Sequence, residues 1–105
     1  MSQKGYDLLG LAQRAGKVQS GDAAAEAVIK KGKVKLVLLA VDASDRTKEH
    51  FTNLCRFKKI RWIESGEKER LGNALGKSPR SIVVVTDEGF ARRLIQLFGG
   101  VEEDF

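Results

Sequence analysis

Residues 15–22 have the sequence AGKVQSGD, and this segment predicts the end of one helix and the start of another. Apolar residues recur at helical spacing before it, which indicates an amphipathic first helix. The predicted inner face of that helix consists of Leu8, Leu11, Ala12 and Ala15. Gly16 is a typical helix stop, Ser20 is a good N-cap for the second helix, and Asp22 suits its first turn.

The same segment has the features of an anion site. A helix start leaves several backbone N–H groups without intrahelical partners and has a partial positive charge. Arg14 and Lys17 lie close to this start in the sequence, so it could receive a phosphate group. A simple connection between two helices explains the segment equally well, and the rest of the chain has to decide between these interpretations.

Composition restricts the class of protein. With 105 residues and a net charge of +5, we expect one domain over residues 1–100, a short acidic tail over 101–105, and an acidic partner such as nucleic acid. Cys55 is the only cysteine, so neither an intrachain disulfide nor a cysteine-based metal cluster can form. No apolar run approaches the length of a membrane span. We expect a cytoplasmic monomer without metal or cofactor.

Helical and strand patterns alternate along the chain. Further helices are predicted near residues 21–31 and 45–56, and two more follow Ser65 and Asp87. Residues 42–45 are predicted to cap the helix near 45–56, and Ser65 and Asp87 are predicted to cap the helices that follow them. The predicted strands are residues 17–19, 36–41, 60–63 and 81–86. The apolar runs at 36–41 and 81–86 are typical of strands that are covered on both faces. This order predicts a three-layer α/β/α sandwich with a small mixed four-stranded sheet and about five helices.

The sequence gives little support for catalysis. His50 is the only histidine, and Cys55 lies on the same predicted helical face as Phe51, which favours a core position. Gly16-Lys17 is similar to the end of a phosphate-binding loop. However, Leu11 replaces the first glycine of that motif, and Val18 replaces the hydroxyl residue that would hold magnesium. We therefore predict that the chain is not an enzyme.

Basic residues form three groups, any of which could be an ordinary solvated surface. The first group lies in two connections, and it would form one positive surface if both connections emerge at the same end of the sandwich. The members of the first group are Arg14, Lys17, Lys77 and Arg80; the second is Lys30, Lys31, Lys33 and Lys35; the third is Arg56, Lys58, Lys59 and Arg61.

Three stretches give the chain a family resemblance: residues 8–21 (LLGLAQRAGKVQSG), residues 29–44 (IKKGKVKLVLLAVDAS) and residues 84–91 (VVTDEGFA). Together they resemble the L7Ae/L30e type of ribosomal proteins, in particular the bacterial YlxQ-like branch. The resemblance implies an α/β/α sandwich. It also implies binding of kink-turn RNA, a bent helix–internal loop–helix, through the start of the second helix and the loop before the last strand.

Transferred residue by residue, the resemblance implies an RNA-binding surface made of Arg14, Gly16, Lys17, Gln19, Ser20, Gly21, Asp22, Lys77, Ser78, Pro79 and Arg80. The chain departs from the kink-turn pattern at Ala23, Ala24 and Ala27, where such proteins have Asn, Glu and Lys. Alanine cannot hydrogen-bond to a base edge. Phosphate contacts fix the position of a nucleic acid on a protein, whereas base contacts determine sequence specificity. We therefore expect structured RNA to be bound with reduced or altered sequence preference.

The functional hypothesis is therefore a non-catalytic RNA-binding protein associated with the ribosome. The expected partners are ribosomal RNA and ribosomal or RNA-processing proteins. A protein-interaction adaptor with the same fold is the alternative, and it is favoured by the alanine-rich start of the second helix and by the acidic tail.

Overall fold

The computed structural model describes residues 2–98 and 101–103, and these residues form five helices and five strands. The helices are α1 (Gln3–Arg14), α2 (Asp22–Lys30), α3 (Asp45–Lys58), α4 (Lys68–Ala74) and α5 (Glu88–Phe98). The strands are β1 (Val18–Ser20), β2 (Leu36–Leu39), β3 (Trp62–Glu64), β4 (Ile82–Val85) and β5 (Val101–Glu103).

The five strands form one mixed sheet in the order β1-β4-β2-β3-β5. β4 is antiparallel to both of its neighbours, and Val84 pairs with Gln19 on one side and Val37 on the other. β2 and β3 are parallel, whereas β5 is antiparallel to β3. Strand β4, which comes late in the chain, therefore holds the early strands β1 and β2 together.

Two apolar cores lie on opposite faces of the sheet, because successive strand residues point to opposite sides. Leu36, Leu38, Val83 and Val85 pack with α1, α4 and α5, while Val37, Leu39, Ile82 and Val84 pack with α2 and α3. All eight side chains are fully buried. This arrangement confirms the predicted three-layer α/β/α sandwich with a mixed sheet and five helices.

The inner face of α1 differs from its prediction. Leu8 and Ala12 are buried, but Leu11 is 49 % exposed and Ala15 is exposed. Leu9, which the predicted face left out, is fully buried instead. The reason is that α1 packs against both α4 and α5, so its buried stripe is turned away from Leu11.

Helix caps agree with the sequence at two sites. Ser44 Oγ accepts a hydrogen bond from Thr47 N at 3.1 Å, and Asp87 Oδ2 accepts one from Phe90 N at 2.9 Å. The prediction that Ser65 caps α4 is wrong. Ser65 N donates to Leu39 O, which continues the contact between β2 and β3, so α4 begins later, at Lys68.

Part of the predicted acidic tail over residues 101–105 is a strand. Residues 101–103 form β5, in which Glu103 is the register partner of Trp62. Without this strand, β3 would be an edge strand with unpaired backbone groups. Residues 104 and 105 lie outside the described part of the chain. Within that part, the helices are too short and too polar to cross a lipid bilayer.

Candidate nucleic-acid interface

The junction between β1 and α2 brings the first predicted segment to one end of the sheet. Gly21 is the N-cap residue of α2 and has a φ of 92°, a conformation that favours glycine. Its N–H donates to Ile82 O at 3.2 Å. The prediction that Ser20 caps α2 is wrong, because Ser20 still pairs with Val83 in the sheet. Among residues 2–98 and 101–103, no side chain caps α2, so its first-turn N–H groups stay available to a ligand.

The loop between α4 and β4 packs tightly against α4. Lys77 N donates to Gly72 O at 2.8 Å, and Arg80 N donates to Lys68 O at 3.0 Å. A β-carbon on Gly72 would collide with the carbonyl oxygen of Ser78 and lie 2.9 Å from Pro79 Cα. Glycine at position 72 therefore allows the loop to approach the helix this closely.

Arg80 connects the two segments. Its Nε donates to Ser20 Oγ at 3.0 Å, and its Nη1 donates to Ser78 Oγ at 2.8 Å. Nη1 also lies within 3.4 Å of the carbonyl oxygens of Ser78 and Pro79. Within residues 2–98 and 101–103, Nη2 has no hydrogen-bond partner. Arg80 thus holds the α4–β4 loop beside the start of α2 and keeps one N–H₂ group for an external acceptor.

The residues of the predicted surface fall into three places. Gln19, Ser20, Gly21 and Asp22 lie at the end of the sheet where the loop of Lys77, Ser78, Pro79 and Arg80 meets them. Gly16 and Lys17 lie at the opposite end of β1, where Lys17 O accepts a hydrogen bond from Thr86 N at 2.9 Å. A strand rise of 3.3 Å per residue separates Lys17 from Gly21 by about 13 Å. Arg14 lies along a groove between α1 and α4, near Asn73.

Two residues beside this site were not assigned to it from the sequence. Lys68 is the first residue of α4; its N–H donates to Asp42 Oδ1 at 2.9 Å, while its carbonyl accepts from Arg80. Asp42 therefore serves the start of α4, although the sequence placed it among the residues that cap α3. The parallel pairing of β2 and β3 is the signal for this contact, because loops that follow parallel strands meet at one edge.

The exposed start of α2 offers few groups that could read a base. Ala23 and Ala27 are exposed and Ala24 is half-buried, and none of these side chains can donate or accept a hydrogen bond. Contacts to RNA at this helix would therefore come from the backbone and from neighbouring cations. This surface is suited to holding phosphates rather than to discriminating bases.

Two residues were considered for catalysis. His50 lines a groove with Asp22 and Thr47, near the starts of α2 and α3. Cys55 is fully buried, and this burial raises the pKa of its thiol to about 12, so a nucleophilic thiolate is disfavoured. His50 Nε2 is 2.7 Å from Glu26 Oε1 on the outer side of α2 and α3. Across residues 2–98 and 101–103, no three His, Cys, Asp or Glu side chains form a group that could hold a metal ion.

The comparison with known proteins places this chain in a family. Residues 3–95 match the model of the ribosomal protein L7Ae/L30e/S12e/Gadd45 family. The chain belongs to this family, as the sequence resemblance predicted.

Individual relatives place the chain within the family. It is 42 % identical over 92 residues to the RNA-binding protein YlxQ of Bacillus subtilis, covering 88 % of this chain and 92 % of the relative. This similarity supports the bacterial YlxQ-like branch. The large ribosomal subunit protein eL8 of Thermoplasma volcanium is 31 % identical over 90 residues, which cover 85 % of this chain and 74 % of the relative.

A solved structure confirms the architecture. A protein with unknown function from Bacillus halodurans superimposes with a TM-score of 0.87 at 35 % sequence identity, covering 93 % of this chain and 99 % of the other. The three-layer arrangement is therefore shared over nearly the full length of both chains.

Proposed function

We propose that this protein is a non-catalytic RNA-binding protein that recognises structured RNA of the kink-turn type. The observation that carries the proposal is the hydrogen bond from Arg80 Nε to Ser20 Oγ, at 3.0 Å. It joins the two segments through which the family resemblance implies RNA binding. We define this surface, residues 19–22, 68 and 77–80, as the kink-turn end.

The chemistry of the kink-turn end suits a phosphate backbone. The first turn of α2 offers N–H groups and the positive end of a helix dipole. Arg80 Nη2, Lys68 and Lys77 add positive charge beside it, and Arg80 is held by its own hydrogen bonds before any ligand arrives. Such preorganisation reduces the entropy that binding costs.

The proposed sequence preference is weaker than that of a kink-turn protein with polar residues on α2. One good base contact is worth about 1–3 kcal/mol of discrimination, and Ala23, Ala24 and Ala27 cannot make such a contact. Asp22 further repels phosphate near the helix terminus. The expected ligand is ribosomal RNA, bound by a cytoplasmic monomer in the company of ribosomal or RNA-processing proteins. The eL8 relative, a large ribosomal subunit protein, supports this association.

The test measures affinity for a kink-turn RNA, a kink-turn with mutated G·A pairs, and a plain duplex at two salt concentrations. We expect the intact kink-turn to bind more tightly than the mutated one, by less than about a hundredfold, the factor that two lost contacts would give. Equal affinity for all three RNAs would refute kink-turn recognition.

Two variants that keep the net charge locate the site, and a third removes a charge from a remote position as a control. Arg80→Lys keeps the charge but loses the forked hydrogen bonds, and Ser20→Ala removes the acceptor for Nε. Both should weaken kink-turn binding, whereas Arg93→Gln, on the exposed side of α5, should not. If Arg80→Lys and Ser20→Ala bind like the unsubstituted protein, the kink-turn end is not the RNA site.

The adaptor alternative is separated by capturing partners from lysate with and without nuclease. RNA-bridged partners are lost after nuclease treatment, and this loss is the result we expect. A protein that stays bound after nuclease, together with no measurable RNA affinity, would favour the adaptor.

A further inference from the structure

The structure joins two basic runs that are distant in the sequence. Lys58 Nζ at the end of α3 donates to Lys30 O at the end of α2, at 3.4 Å, and Arg61 Nη2 donates to Lys35 O, also at 3.4 Å. We call the resulting surface the basic end, formed by Lys30, Lys31, Lys33, Lys35, Phe57, Lys58 and Lys59. All seven of these residues are exposed.

Among the side chains that the structure describes, few acidic groups lie close to the basic end. Glu26 lies 3.8 Å from Lys30, and Glu88 is hydrogen-bonded to Arg92 and Arg61. The hydrogen bond from Arg92 and, to a smaller extent, the one from Arg61 lower the pKa of Glu88. This carboxylate is therefore paired with the two arginines and not with the lysines of the basic end. In the described part of the chain, none of Lys31, Lys33, Lys35 and Lys59 has an ion-pair partner. These lysines repel one another, and an anion would relieve the repulsion.

An exposed aromatic ring lies among the basic side chains of this surface. Phe57 is 81 % exposed and is flanked in sequence by Arg56 and Lys58. Neither apolar core includes Phe57, so its ring does not serve the packing of the domain. Arg56, the residue before Phe57, lies over the ring of Trp62 at 5.2 Å.

The basic end is separate from the kink-turn end. The nine residues of α2 lie between its caps Gly21 and Lys31, so ten steps of 1.5 Å separate the caps by about 15 Å. Lys35 N donates to Val85 O at 2.7 Å, which places Lys35 at the sheet end that also holds Lys17. Lys17 thereby lies closer to the basic end than to Arg80, although its sequence position suggested the reverse.

We infer that the basic end is a second RNA-binding surface that holds a single-stranded segment, with phosphates on the lysines and one base stacked on Phe57. Base stacking on an exposed aromatic side chain beside cations is a general mode of single-strand recognition. A protein partner fits less well, because lysine is depleted in protein interfaces. A lipid surface also fits less well, because membrane-binding helices present several apolar residues together with their cations, whereas the neighbours of Phe57 are charged.

The experiment measures binding of a fluorescently labelled twelve-nucleotide oligouridylate by anisotropy over a series of salt concentrations. Phe57→Ala should weaken binding by about five- to one-hundredfold, as loss of one stacked base does, with little change in salt dependence. Lys31→Gln/Lys33→Gln should reduce the slope of log affinity against log salt by about 1.4, because single strands lose about 0.7 per phosphate contact.

The matched control is Lys4→Gln/Arg93→Gln, which removes the same charge from exposed positions on α1 and α5. It should leave both the affinity and the slope nearly unchanged. If it weakens binding as much as the Lys31/Lys33 pair does, the effect is one of net charge and the proposal is wrong. An unchanged affinity of Phe57→Ala, or binding to phosphatidylserine vesicles without binding to the oligonucleotide, would also overturn it. Circular dichroism checks that each variant is folded.

The two proposals can fail separately. Arg80→Lys should weaken kink-turn binding and leave oligouridylate binding intact. Phe57→Ala should weaken oligouridylate binding and leave kink-turn binding intact. If oligouridylate binding is lost with Arg80→Lys and kept with Phe57→Ala, the second surface is refuted and the kink-turn end stands.

Discussion

Gly72 offers a direct test of how the α4–β4 loop is held, by comparison with Gly5. Both glycines are buried within helices, and replacing a helical glycine with alanine usually stabilises by about 0.5–1 kcal/mol. At Gly5 a β-carbon would lie 3.6 Å from Leu97 O and from the ring of Phe98, which is ordinary contact. We therefore expect Gly5→Ala to stabilise the fold by that amount.

At Gly72 the same methyl group meets backbone atoms. It would collide with the Ser78 carbonyl oxygen and lie 2.6 Å from the carbonyl carbon, and a backbone cannot rotate away as a side chain can. Overpacking costs about 1–3 kcal/mol, and this clash belongs at the upper end of that range. After subtraction of the propensity gain of about 0.5–1 kcal/mol, Gly72→Ala should destabilise by about 2–2.5 kcal/mol.

Thermal unfolding followed by far-UV circular dichroism measures the difference. Since about 1 kcal/mol shifts the Tm of a domain of this size by roughly 4–8 °C, Gly72→Ala should unfold about 8–20 °C lower, and Gly5→Ala a few degrees higher. Kink-turn affinity should fall only for Gly72→Ala, because the displaced loop moves Arg80 away from Ser20. A Gly72→Ala variant as stable as Gly5→Ala would refute the reasoning.

The remaining predictions use other parts of the fold. Leu9→Ala should cost about 2–5 kcal/mol in urea unfolding, as a fully buried leucine does, and Leu11→Ala less than about 1 kcal/mol. Cys55, whose pKa is raised to about 12, should stay unreactive towards iodoacetamide at pH 8 and react once urea unfolds the chain. The arginine hydrogen bonds lower the pKa of Glu88, so its stabilisation is present above the unfolded pKa and is lost as pH falls through the folded value. Glu88→Gln should therefore flatten the acid limb of a stability-versus-pH curve, by a small amount because the carboxylate is exposed.

The layer architecture could be predicted from the sequence because its signals are local. The apolar runs at residues 36–39 and 82–85 mark strands that are buried on both faces, and Ser44 and Asp87 mark helix starts. β5 lacked such a signal, because Val101-Glu102-Glu103 contains only one apolar residue. This segment is a strand because it pairs with β3, which is distant in the sequence. Ser65 also gave an ambiguous signal, because a serine before a helix can equally extend a strand.

The candidate site could be predicted only in part, because its assembly depends on strand order. The contact between Ser20 and Arg80 joins residues 60 positions apart and requires β4 to lie beside β1. Lys17 was grouped with Gly21 because only four residues separate them in the sequence. Those residues form an extended strand, so Lys17 and Gly21 lie about 13 Å apart. The meeting of Lys30 with Lys58 likewise depends on how α2 and α3 pack.

The position of β4 has a consequence for synthesis. Its register partners include Val18 of β1 and Leu36 of β2, and these two strands do not pair with each other. A nascent chain that ends before residue 82 therefore contains both strands without the one that joins them. The protein can join β1 to β2, and place Ser20 beside Arg80, only after Val85 has left the exit tunnel of the translating ribosome.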